Sequence, residues 1–112
     1  VLCAAPVVGE VHWFLALVHL GTRFSRASRD DIVDDLATAG VEAAAYCLPL
    51  HRQARYFDKQ RPRQDLWVTD KLADRALALP FHRHLDMDEV SFIVQTAKDA
   101  SINVGAGSAI YL

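Results

Sequence analysis

The chain has 112 residues, 52% hydrophobic and 23% charged, the composition of one ordinary globular domain and not of a disordered tract. Its net charge of −2 offers little attraction to nucleic acid or to an anionic membrane surface. Cys3 and Cys47 are too few for a disulfide scaffold, so a reduced cytoplasmic setting is expected.

Residues 1–8, VLCAAPVV, are apolar but have no basic leader and are broken by Pro6, which makes them a poor membrane span and a poor signal peptide. The start at Val1 points to a processed chain or a piece of a longer one. Residues 11–20, VHWFLALVHL, place apolar side chains on both alternating sets, the pattern of a strand covered on both faces. After a polar turn, Ser28 is the expected N-cap of a helix, with Asp30 and Asp31 at its positive end. Ile32, Val33, Leu36 and Ala37 form its apolar stripe, and Gly40 supplies the left-handed residue that ends it.

VEAAAY (41–46) reads as a short second strand, and 49–65 as a long connection with room for one helical turn. A helix is expected from Asp70 to Leu79, with Leu72, Ala73, Ala76 and Leu77 on one face and Pro80 as its stop. Asp86 and Glu89 make a capping-box pair ahead of Val90, Ile93, Val94 and Ala97, so a last helix should run to about Ala100. The tail NVGAGSAIYL has no periodicity and reads as a short strand or as loose chain. The expected fold is a small α/β (α+β) domain: one sheet covered by about three amphipathic helices, with 11–100 as its body.

The common signatures of self-sufficient chemistry are missing. His82, His84, His51 and Cys47 do not fall into C-x-x-C or H-x-x-x-H spacing, so no metal site is expected. There is no G-x-S-x-G elbow, and the glycines of GAG (105–107) lack the strand-to-helix setting of a phosphate loop. Between His51 and Asp65, however, Arg52, Arg55, Lys59, Arg61 and Arg63 outweigh Asp58 and Asp65, a local balance of +3. Arginine forks suit phosphates, and Tyr56, Phe57 and Trp67 could stack on a base or sugar. A solvated charged loop and a site for a phosphate-bearing small ligand both account for this; the overall charge is wrong for nucleic acid.

One stretch is more specific. YCLPLHRQARY (46–56) resembles the Y-P-x-P-L-H-x-Q-x-x-Y segment of the DegT/StrS-type, pyridoxal-phosphate-dependent sugar aminotransferases. The match holds at Tyr46, Pro49, Leu50, His51, Gln53 and Tyr56, and departs at Cys47 and Ala54, where prolines are usual or common. RDDIVDDLATAGVEA (29–43) is similar to the helix that leads into that segment. TDKLADRALALPFHRHLDMDEVSFIV (69–94) is similar to the E-x-L-x-x-x-x-L-S-L-P stretch and final helix that follow it.

The resemblance implies the small C-terminal domain of a fold-type I aminotransferase. The parent enzyme would transfer an amino group from glutamate to a nucleotide-linked keto sugar. Its pyridoxal phosphate (PLP) would be held by a large domain that this chain lacks. Lys59, Lys71 and Lys98 fall in a loop and on helix surfaces, unlike a desolvated Schiff-base lysine, so the chain is expected to be inactive alone. The implied partners are the missing large domain, a homodimer mate and a nucleotide-sugar ligand. Residues 1–8 and the first strand would face the large domain or a second subunit. His51 is the leading substrate-contact residue, Tyr46 and Gln53 follow, and Arg52 and Arg55 are candidates for a diphosphate. A stand-alone module for a phosphorylated ligand and a purely structural or dimerising domain are the alternatives.

Overall fold

The computed structural model describes residues 9–56 and 66–110. Three short strands form an antiparallel sheet: β1 (Ala16–His19), β2 (Ala44–Ala45) and β3 (Ala76–Leu79). The last strand in sequence lies between the other two, giving the order β1-β3-β2. Ala16 faces Leu79 and His19 faces Ala76 across one ladder, while Ala44 faces Ala78 across the other. Three helices complete the fold: α1 (Arg26–Thr38), α2 (Trp67–Arg75) and α3 (Met87–Ile110).

The core lies where α1 and α3 pack on each other and on β3. Ile32 and Leu36 of α1 are sealed against Val41, Leu77, Ile93 and Ala100. Val18, Leu20, Phe24, Leu79, Leu85 and Ala97 pack around them. Ile32, Leu36 and Ile93 come from the stripes expected in α1 and α3.

Both ends of α1 are closed by specific chemistry. Ser25, and not Ser28, is the N-cap: its backbone is extended (φ −94°, ψ 175°) and its Oγ accepts the Ser28 N–H at 3.1 Å. Asp30 and Asp31 therefore lie beyond the first turn, where the helix dipole does little for them. At the other end Gly40 takes the left-handed conformation (φ +85°), as its position demanded. The Gly40 N–H donates to Ala37 O and the Val41 N–H to Leu36 O at 2.8 Å, the paired bonds of a Schellman motif. Val41 and Leu36 then enter the core together.

Three further expectations need correction. The first strand is only four residues long and half-buried; Val11, Trp13 and Phe14 precede it and are exposed, Phe14 by 77%. The helix expected over 70–79 ends at Arg75, and residues 76–79 are the central strand. ALAL fits a helical stripe and a strand equally well, and pairing on both edges decides for the strand. Leu20 N–H donates to Arg75 O at 2.9 Å, drawing the end of α2 to the sheet.

The third correction concerns the tail. It is neither strand nor loose chain, for α3 runs on to Ile110. Gly105 lies near a neighbouring turn: a Cβ there would lie 3.3 Å from Arg23 Nη2 and in ordinary contact, 3.5 Å, with Phe24 Cζ. The helix passes close under the turn that carries those two side chains, and Arg23 itself stands over the Phe24 ring at 5.2 Å. The α3 start matches expectation in both halves of the capping box: Glu89 N–H donates to Asp86 Oδ1 at 2.7 Å and Asp86 N–H to Glu89 Oε2 at 3.1 Å.

Candidate functional site

The chain leaves β2 through Tyr46 and reaches Pro49, which is buried with φ −55° and ψ 145°. The pyrrolidine ring fixes that φ and turns the backbone into a short 3-10 turn, Leu50–Arg52. Local bonds hold the elbow. Arg52 N–H donates to Pro49 O, Gln53 N–H to Leu50 O and Tyr56 N–H to Gln53 O, while Gln53 Nε2 closes back on Leu48 O at 3.0 Å.

The elbow is tied to α2 by side chains. His51 Nε2 lies 2.8 Å from Asp70 Oδ1, and Arg52 Nε reaches the same oxygen at 2.8 Å. Arg52 Nη1 donates to Asp74 Oδ1 at 2.9 Å. Asp70 and Asp74 are four residues apart, so they share a helix face, and Arg52 offsets the repulsion between them. Asp70 also stands in the first turn of α2, where the helix dipole favours a carboxylate. All four side chains are about one-third exposed or less, His51 at 30%. The hydrogen bond to Asp74 is the largest influence and raises the Arg52 pKa; desolvation, next in size, opposes it, and the charges of Asp74 and Asp70 add to the rise.

One further tie anchors α2 from behind. Arg29 is buried, and its Nη1 donates to Ala73 O at 2.8 Å while Nε and Nη2 bind Asp30.

Of the five sequence-derived site residues, the structure brings His51 and Arg52 together on one pair of carboxylates. Gln53 braces the elbow backbone, Tyr46 stands partly exposed at the exit of β2, and Arg55 is exposed in the turn beyond. Tyr56 and Trp67 are more than half exposed, and Lys71 Nζ lies 4.9 Å over the Trp67 ring. Lys59, Arg61 and Arg63 of the basic loop, with Phe57, Asp58 and Asp65, lie outside the described residues, as do residues 1–8. Asp70 and Asp74 were not singled out from the sequence. Their signal was an i, i+4 acid pair on the helix that follows an arginine-rich loop.

Elsewhere the surface offers less chemistry. A shallow groove of about 490 Å³ runs between the end of α1 and the start of α3, lined by Val41, Pro80, Leu85, Phe92 and Ile93 with Glu42 and Glu89 at its border. His84 N–H donates to His82 Nδ1 at 3.2 Å. Among the described residues no three His, Cys, Asp or Glu side chains cluster as metal ligands, and no helix is long and apolar enough to cross a membrane.

Comparisons with known proteins concern the chain as a whole. The model of the DegT/DnrJ/EryC1/StrS aminotransferase family matches residues 3–98. A Streptococcus pneumoniae protein described as a sugar aminotransferase, solved in its PMP form, is similar in fold with a TM-score of 0.65 at 24% identity, over 80% of this chain and 22% of that one. Its apo form gives 0.67 at 25% identity, over 85% of this chain and 24% of that one. The chain thus spans about a quarter of the length of the structures it matches. No curated protein matches it.

Proposed function

This chain belongs to the DegT/DnrJ/EryC1/StrS aminotransferase family, and we propose that within it the chain is the small C-terminal domain of a PLP-dependent enzyme. That enzyme moves an amino group from glutamate to a keto group on a nucleotide-linked sugar. The observation that carries the reading is coverage: a family match over 3–98 on a chain that spans 22–24% of its structural neighbours.

The cofactor, when bound to the whole enzyme, supplies the electron sink for amino transfer. The described lysines do not suit it: Lys71 and Lys98 are exposed on α2 and α3, unlike an amine desolvated in a pocket. The small domain instead orients the sugar nucleotide and closes the cleft. His51 contacts the sugar, Tyr46 lines the approach, and Gln53 holds the elbow in shape while offering its amide oxygen. Of the two arginines, Arg55 is the one we assign to the diphosphate; Arg52 has its guanidinium engaged by two carboxylates.

The elbow and α2 also expose Leu48, Leu50, Trp67, Val68 and Leu72, an apolar surface suited to the missing large domain or a dimer mate. The enzyme would work in the cytoplasm.

The test is direct. The purified chain, mixed with PLP, glutamate and a keto-sugar nucleotide, should show no saturable one-to-one cofactor spectrum and no amino transfer. Stoichiometric cofactor binding with turnover by this chain alone would overturn the proposal.

A further inference from the structure

We infer that Asp70 is a positioning residue that fixes the His51 imidazole as its Nε2–H tautomer and leaves Nδ1 as a hydrogen-bond acceptor for a hydroxyl donor on the ligand. A carboxylate can only accept, so the nitrogen 2.8 Å from Asp70 Oδ1 carries the proton. In the neutral ring the other nitrogen then keeps its lone pair. Among the described residues Nδ1 has no partner, and no buried side-chain nitrogen or oxygen lacks one. Nδ1 is therefore open to solvent, consistent with the 30% exposure of the side chain.

The ring is held from two directions. Pro49 fixes the backbone that carries it, and Asp70 is itself held by Arg52, whose second bond to Asp74 keeps the guanidinium in place. A fixed ring with one free acceptor selects donors. An anionic phosphate oxygen, which only accepts, gains nothing from Nδ1, whereas a hydroxyl can donate to it. That the hydroxyl belongs to a sugar rests on the function proposed above; the tautomer does not.

Ring-nitrogen NMR on the ¹⁵N-labelled 112-residue chain, at a pH where the imidazole is neutral, tests both parts. His51 should show a pyrrole-type Nε2 and a pyridine-type Nδ1. Asp70→Leu, which cannot accept, should blur this pattern towards tautomer exchange, and Asp70→Asn, whose amide oxygen still accepts, should restore it. A pyrrole-type Nδ1 in the parent chain, or a spectrum unchanged in Asp70→Leu, overturns the positioning role. Titration with UDP-glucose to millimolar concentration should then move the Nδ1 resonance in the direction of hydrogen-bond formation; a stationary Nδ1 overturns the acceptor role. These readouts are independent of amino transfer, so an inert chain with the expected tautomer separates the two proposals.

Discussion

Two halves of the molecule are held by different forces. In the α1–β3–α3 half, Ile32, Leu36, Leu77 and Ile93 interlock away from water. In the half made of the elbow and α2, Pro49 is buried, but the 3-10 turn that follows it and α2 contribute no buried residue. There the chain is fastened by His51 and Arg52 on Asp70 and Asp74, and by Arg29 on Ala73 O. Burial is strong but non-directional, so it gives a stable platform. Charge-assisted bonds contribute little stability near the surface but hold donors and acceptors at set angles. The first half makes the fold, and the second fixes the geometry of the proposed ligand contacts.

That contrast can be broken from the platform side first. Leu36→Ala, in a fully buried position, should cost about 3–4 kcal/mol by denaturant unfolding. Leu77→Ala should cost a similar amount and also loosen the sheet. Arg29→Met keeps much of the volume but leaves Ala73 O without its donor, and about 1–3 kcal/mol should be lost. A smaller effect than that would mean α2 is held mainly by packing after all.

On the polar side, Asp86→Ala removes the cap of α3 and should cost about 1 kcal/mol, read from the thermal midpoint. Arg52→Ala should cost only about 0.5–1 kcal/mol globally, yet hydrogen exchange over 49–56 should speed up markedly. The pH sign for this group is simple. Its folded pKa is raised, so its contribution is complete below the ordinary arginine value and fades only as pH climbs through the raised one. Between about pH 6 and 9 the guanidinium should add no slope to the stability curve. Smallest of all, Phe14→Ser should change stability by less than about 0.5 kcal/mol, because that ring is already in water.

The same division decides how much the sequence revealed. Platform features obey local rules: Gly40 ends α1, Asp86 and Glu89 open α3, and the stripes of Ile32, Leu36 and Ile93 supply the core. The tail differs from expectation because glycine is only a weak helix former by local rules, whereas Gly105 is carried inside α3 where the helix runs past Arg23 and Phe24. The strand at 76–79 was misread because its identity comes from two neighbours distant in the chain, which no local window contains. Within the site, the turn at Pro49 follows from the residue itself, and His51 was reached through the resemblance of YCLPLHRQARY. Asp70 and Asp74 were not, since their role exists only once residues 19 and 22 positions earlier fold back on them.

The strand order carries a consequence for assembly. Among the described residues, β1 and β2 meet no partner until residues 76–79 arrive to fill the gap between them. During synthesis both early strands must therefore wait, edges bare, while the intervening polypeptide emerges. A truncation stopping before Ala76 would remove the central staple of the sheet together with its own residues, and should yield a species prone to self-stick instead of a smaller native domain.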